Sequence, residues 1–283
     1  MSKILLSKFA PLIIAFPSVI IGAIAMFINK IPIAIWGQNI ICSMIAGLIS
    51  YIVLSKKSKC KKIRANGIII LISVILLLLT FIDLGLLGVH RWISIGPVKF
   101  YVASIVMPII IIELWNLLQS EKWWVSAFIT ILISILLILQ PDASELTAFI
   151  IPMVILLWSK TNNNILRFSI TGVLLIFIVI SWISLDGLPP VPYVEEIISL
   201  VADMGIIWLI LGVISLMILI IPFIFFPPKN FRLLSICIGI YFIIILISTL
   251  FGNFPIPLMG YGISPIIGYF ISITWLVKVK NNF

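Results

Sequence analysis

Charge is what this sequence has least of. Its 283 residues include 18 Lys or Arg, 9 Asp or Glu and a single histidine, and 10% charged against 63% hydrophobic lies far outside the soluble globular range. Such a composition excludes a soluble enzyme. Cysteine is also scarce: Cys42, Cys60 and Cys237 are scattered, with no pair spacing and no cluster with histidine, so neither a disulfide framework nor a metal site is expected. His90 leaves one place where a histidine-based triad could form, and an ordinary interfacial loop role is the favoured reading of that residue. A Gly-rich phosphate loop is missing too. Gly260 and Gly262 are followed by Pro265 where a dinucleotide fingerprint needs its third glycine, and no strand is expected before them. No cofactor is expected.

What the chain has in abundance is long apolar runs. Mean hydropathy is +1.35, and a membrane-spanning helix needs about 20 mainly apolar residues. About ten such runs occur, near 10–28, 36–54, 68–87, 100–118, 123–139, 146–159, 168–185, 197–221, 233–249 and 265–277, the sixth and tenth being short. The expected fold is therefore all-α, a polytopic membrane protein forming a single integral membrane domain over residues 1–283. The first run follows Lys3 and Lys8 but lacks a small-residue cleavage site, so it reads as a retained anchor rather than a signal peptide. No soluble domain or low-complexity tail stands out, so a partner would be met through helices or short loops.

Basic residues of short loops tend to stay in the cytoplasm. With ten spans and a cytoplasmic N-terminus, 15 of the 18 fall on the inner side, leaving Lys30, Arg91 and Lys99 outside. Both termini are expected to be cytoplasmic. The net charge of +9 is thus explained without nucleic acid, and the cluster "KKSKCKKIR" reads as a topology signal that also suits contact with anionic lipid. The abundance of Ile, Lys and Asn hints at an AT-rich bacterial genome, which makes the cytoplasmic membrane of a bacterium the expected location.

The acids distribute the other way. Asp142, Glu145, Asp186, Glu195 and Glu196 fall outside, Asp83 and Asp203 near the outer ends of spans, Glu113 inside the fourth span and Glu121 in an inner loop. Carboxylates at membrane depth are costly unless they face protein or water, which makes them functional candidates by default; for Glu121, Glu145 and Asp186 interfacial water is the favoured reading. Three outer-face loop segments look more deliberate than loops usually do: "GVHRWISIGPVKF", "QPDASE" and "FPIPLMGYGISPIIG". In the first, Trp92 suits the headgroup level and Arg91 offers a planar fork to phosphate. The second is expected to be a hairpin turn in which Asp142 caps or cross-links and faces the cavity of Arg91. The third is too rich in Pro and Gly for a regular helix and suggests irregular backbone lining a cavity. An outward groove with Arg91 and carboxylates suits an amphiphile with a pyrophosphate head and a lipid tail.

Four pieces in order resemble the SEDS family (shape, elongation, division and sporulation), the group of FtsW, RodA and SpoVE. "HRWISIGPVKF" resembles its RWI-x-LG segment through Arg91, Trp92, Ile93 and Gly96. "LQPDASE" resembles its QPDLGT turn through Gln140, Pro141 and Asp142. "LPPVPYVEEIISLVADMG" resembles its LPE…TDF…EELG stretch through Leu188, Pro189, Asp203 and Gly205, and "FPIPLMGYGISPII" its LPLPFVSYGGSS loop through Pro255, Pro257, Tyr261, Gly262 and Ser264. The resemblance runs from about Gly88 to the C-terminus. It implies a protein that handles lipid II-like, undecaprenyl-pyrophosphate-linked cell-wall precursors at the outer face, polymerises glycan strands and works beside a transpeptidase of the penicillin-binding type. Arg91, Trp92, Tyr261 and Ser264 are then the implied substrate-binding residues.

The sequence also departs from that family. Its ionic pair after RWI-x-LG is replaced by neutral residues around Tyr101–Met107, a joint loss that avoids stranding one buried charge. The outer loop before the eighth span is short, and ungapped placement puts Val194 where the family has its catalytic aspartate. Valine cannot take a proton from an attacking hydroxyl. Glu195 is next in line and Asp142 is the other acidic candidate, while Glu195 and Glu196 also suit the positive end of a helix. Three functions stay open from sequence: a compact polymerase, a noncatalytic relative acting as membrane partner or regulator of envelope machinery, and a lipid or small-solute transporter, for which the expected inverted repeats are not visible.

Overall fold

The computed structural model describes residues 7–56, 66–120 and 122–282. Lys3, the basic cluster beyond Lys56, Cys60 and Glu121 lie outside the described residues. Eleven α-helices are described: α1 (Ala10–Ile28), α2 (Ile33–Ser55), α3 (Gly67–Leu79), α4 (Val102–Leu118), α5 (Trp123–Leu139), α6 (Ala143–Trp158), α7 (Asn164–Ile183), α8 (Ile197–Asp203), α9 (Ile206–Phe225), α10 (Arg232–Ser248) and α11 (Ile263–Asn282). An antiparallel hairpin of β1 (Trp92–Ile95) and β2 (Val98–Tyr101) precedes α4. The chain is an all-α, multi-pass membrane protein. Among the described residues α1, α2, α7, α9, α11 and the stretch Lys229–Ser248 are long and apolar enough to cross a membrane, and α3 to α6 are shorter apolar helices.

Three expectations need correction. The run expected as one span over 197–221 is two helices, because Gly205 takes φ 118° between α8 and α9, a backbone state open to glycine. The third span stops being helical at Leu79 rather than at residue 87. The segment from Gly88 to Phe100 is not loop throughout: Trp92 pairs with Tyr101 and Ile95 with Val98 around a two-residue turn, Gly96-Pro97, in which Gly96 at φ 59° supplies the positive φ such tight turns need.

The chain divides into two compact units, Met1–Cys60 with Pro189–Phe283, and Lys61–Leu188. In the first, α1 presents small residues, Ala15, Ser18, Gly22 and Ala25, to its neighbours and meets α2, α8, α9 and α11. Small side chains let helix backbones approach closely where lipid offers no hydrophobic drive to association. The Ser18 and Ser215 hydroxyls meet at 3.2 Å, Thr274 donates to Ser50 at 2.7 Å, and the Tyr269 hydroxyl donates to the Leu219 carbonyl at 3.0 Å. In the second unit α6 packs against α4, α5 and α7, and Met107, Ile111, Leu137, Phe149 and Met153 are wholly buried. The outward faces of α2, α7 and α9 carry exposed Ile, Leu, Val and Met at helical spacing, as lipid-facing helices do.

Candidate functional site

The residues singled out from sequence fall into two groups, one in each unit. In the second unit the turn between α5 and α6 is fixed first. Asp142 is the N-cap of α6, its Oδ1 accepting the Glu145 amide at 3.3 Å, which answers one of the orphan donors of a helix start. Gln140 beside it donates through Nε2 to the Thr80 hydroxyl at 2.8 Å and the Leu77 carbonyl at 3.2 Å, joining this turn to the end of α3. Gln140, Asp142 and Glu145 are all buried.

Arg91, just before β1, reaches into the same turn. Its Nε donates to the Gln140 carbonyl at 3.2 Å and lies 3.9 Å from Asp142 Oδ2; Nη2 donates to the Pro141 carbonyl and forms an ion pair with Asp186. Asp142 Oδ2 also accepts the Tyr101 hydroxyl at 2.5 Å. Burial opposes the Arg91 charge, but attraction to Asp142, Tyr101 and Asp186 outweighs it and holds the guanidinium above its ordinary range. Burial pushes the Asp142 carboxyl up, while Arg91, the Tyr101 hydroxyl and the Glu145 amide pull it back. At 4% exposure Arg91 is a brace inside the protein, whereas the sequence suggested an open fork for phosphate. Asp142, expected either to cap or to act as an acid, is fully buried and does the first. Trp92 starts β1, half-buried, its ring 6.5 Å from that of Tyr101. Tyr101, which the sequence presented as the loss of a family residue, supplies a partner to the acid instead.

In the first unit two loops interlock. The Val194 carbonyl accepts the Ile256 amide at 3.3 Å, and the Tyr193 carbonyl accepts the Tyr261 amide at 2.8 Å. Gly260 has to be small here, since a Cβ would lie 2.3 Å from the Val194 carbonyl oxygen. Helix α2 holds the other side: Asn39 donates Nδ2 to the Gly260 carbonyl at 2.9 Å and accepts the Gly262 amide at 3.1 Å, and the Tyr261 hydroxyl donates to Gln38 Oε1 at 2.9 Å. The irregular backbone expected of this Pro- and Gly-rich segment is thus answered by protein donors and acceptors. Burial, with Tyr193 beside it, raises the Tyr261 phenol above its ordinary value. Glu195 follows Val194 directly; its Oε2 accepts the Val191 amide at 2.8 Å, and the residue is half-buried. Ser264 is buried in the first turn of α11.

Other acids have plainer surroundings. Glu113 accepts the Asn66 amide at 2.8 Å where α3 begins, Glu196 is the exposed N-cap of α8 without a side-chain cap bond, and Asp203 is exposed at that helix's end. His90 meets the Asp83 carbonyl through Nδ1 at 3.1 Å. Among the described residues no group of His, Cys, Asp and Glu could hold a metal ion. Gln38 and Asn39 were missed from sequence. Their signal was two adjacent amides inside an apolar span, where polar groups are costly and seldom idle.

No protein-family model matches the chain, and no curated protein matches it. Among solved structures it is similar to the Thermus thermophilus rod shape determining protein RodA. An aspartate-to-alanine mutant of that protein aligns with a TM-score of 0.71 at 14% identity, and RodA without that substitution with 0.67 at 15%, each covering 96% of both chains. The chain therefore has the fold of these RodA structures along nearly its whole length.

Proposed function

We propose that this chain is a SEDS-like cell-wall protein of the bacterial cytoplasmic membrane, with both termini inside, acting as one integral membrane domain. It holds lipid II-like, undecaprenyl-pyrophosphate-linked precursors at its outer face and extends glycan strands from them. Four family-like segments in order, together with a RodA-like fold, support the reading. The observation that carries it is the interlock of residues 189–196 with Phe254–Gly262, which brings Tyr193, Val194, Glu195 and Tyr261 together on a backbone braced by Asn39. Glu195 is the acid of that loop pair adjacent to the family's aspartate position. In glycosyl transfer it would take the proton of the attacking hydroxyl. Tyr261 and Ser264 would contribute to precursor binding there. Arg91 and Asp142 serve by holding their turn in shape, and Trp92 marks the headgroup level.

A second reading is favoured by Val194 itself and by the short loop before α8: a noncatalytic relative that keeps the fold and serves as membrane partner or regulator, with a transpeptidase of the penicillin-binding type as the envelope protein it meets. Glycan synthesis from lipid II by the purified protein separates the two. Polymerase function predicts product that Glu195→Gln reduces at least a hundredfold, with an unchanged unfolding profile, a loss typical of removing a general base. Absence of product in wild type, with co-purification of a transpeptidase, would establish the noncatalytic reading.

A further inference from the structure

The third apolar run, 68–87, is long enough to cross a bilayer, yet its helix, α3, has 13 residues and ends at Leu79. At about 1.5 Å per residue it rises about 20 Å, some 10 Å less than a hydrocarbon layer of about 30 Å. The apolar side chains that would complete the crossing lie in the loop that follows. Ile82 is 79% exposed, Leu84 98% and Leu87 86%. Scattered exposed leucines are ordinary, but three within six positions of a loop, next to a helix too short to span, form an apolar tip.

Part of the loop's backbone is answered from within the loop. Phe81 and Ile82 donate to the carbonyls of Leu78 and Leu79 at 3.1 Å, Leu86 and Val89 exchange bonds at 3.0 and 2.9 Å, and Gly85 donates to Asp83 Oδ1 at 3.2 Å. Irregular backbone is excluded from the hydrocarbon layer itself, so this loop's backbone belongs at the headgroup boundary with only its side chains reaching into lipid. Asp83 turns its other oxygen to the Ser94 amide at 2.7 Å, which ties the loop to β1, where Ile95 is 65% exposed. The polar groups of the loop thus turn toward the protein while its leucines and isoleucines point away.

We propose that residues 81–88 are a lipid-seated loop: the side chains of Ile82, Leu84 and Leu87 enter the acyl-chain edge of the leaflet at this end of the unit, while the loop's backbone stays at the headgroup boundary beyond the end of α3. The partner is the bilayer itself, because the missing length of α3 and the apolar run in the loop are two parts of one shortfall. Asp83 sets the depth at the headgroup boundary.

The test places an environment-sensitive fluorophore on Leu84→Cys, and for comparison on Lys99→Cys in the exposed part of β2, in a chain with Cys42, Cys60 and Cys237 changed to alanine, reconstituted in phosphatidylcholine–phosphatidylglycerol vesicles. The label at 84 is expected to emit to the blue of the label at 99, to be quenched several-fold less by aqueous iodide, and to be quenched by a nitroxide carried high on a lipid acyl chain. Equal iodide quenching at both positions, or no effect of the nitroxide lipid at 84, overturns the proposal. The unaltered protein gives a second measurement: a photoactivatable probe on lipid acyl chains should label the peptide holding residues 81–88, and labelling confined to the helices would likewise overturn it.

Discussion

The Arg91 guanidinium holds together groups that are 49 to 95 positions away in sequence, and it does so where water is largely excluded. Removing one partner from a buried ion pair costs about 3–5 kcal/mol, because the other charge stays behind uncompensated. Arg91→Met is accordingly predicted to lower stability by that amount in detergent unfolding, and Tyr101→Phe by about 1.5–3 kcal/mol, the range for a hydrogen bond to a charged group. A milder effect for Arg91→Met than for Tyr101→Phe would mean that Arg91 is not the main brace. Asp83 gives a pH signature at the same scale. Its carboxyl is lowered from an ordinary 3.8, chiefly by the Ser94 and Gly85 amides, with Lys99 adding to the effect. A depressed acid stabilises the fold above its unfolded value and loses that contribution as pH falls toward its folded value. Order in the loop and hairpin, read by amide exchange, should therefore be constant from neutrality down to about pH 4 and decline below it, and Asp83→Asn should show the loosened state at all pH values.

Among the elements, the loop pair of the first unit is the part most sensitive to small changes of volume. Gly260 faces the Val194 carbonyl, and a Cβ at Gly22 would lie 2.0 Å from the Met259 carbonyl oxygen. Gly260→Ala and Gly22→Ala should each cost about 1–3 kcal/mol, the usual range for overpacking against backbone, and Asn39→Ala about 1–3 kcal/mol by leaving the Gly260 carbonyl and the Gly262 amide unanswered. Unchanged unfolding midpoints in all three would show that the interlock is not held in the way described. Much of this level was legible in the sequence: the eleven described helices fall in the ten apolar runs, the eighth run holding both α8 and α9, and the third deliberate segment did prove to be irregular backbone with protein partners. Hydropathy failed where it sums side chains without regard to backbone. Leu84 and Leu87 counted toward a helix although they lie in a loop, and Gly205 did not read as a break because glycine inside an apolar run is ordinary in membrane helices. The hairpin had a local signal, β-formers on both sides of Gly96-Pro97, that the loop reading passed over. For the site, residue types were legible and partners were not: nothing local in the sequence tells Arg91 to meet Asp186, or Asn39 to meet Gly260, since those pairs form only when distant segments pack.

For the molecule as a whole, a RodA-like fold at 14–15% identity without any matching family model follows from what a bilayer demands. Spans must be apolar and backbone polar groups satisfied internally, and many side-chain combinations meet both conditions. The few positions that carry chemistry then decide function, and in this chain Asn39, Tyr261 and Gly260 brace the loop that holds Val194 and Glu195. The proposed function rests on this braced loop pair recognising a lipid-linked precursor. The most direct measurement is binding of lipid II to the purified protein in nanodiscs, alongside Tyr261→Ala and a phosphatidylglycerol control. Saturable binding above the control, weakened about tenfold or more by Tyr261→Ala, corresponding to at least about 1.4 kcal/mol, is the predicted result. Binding no stronger than that of phosphatidylglycerol would contradict the account.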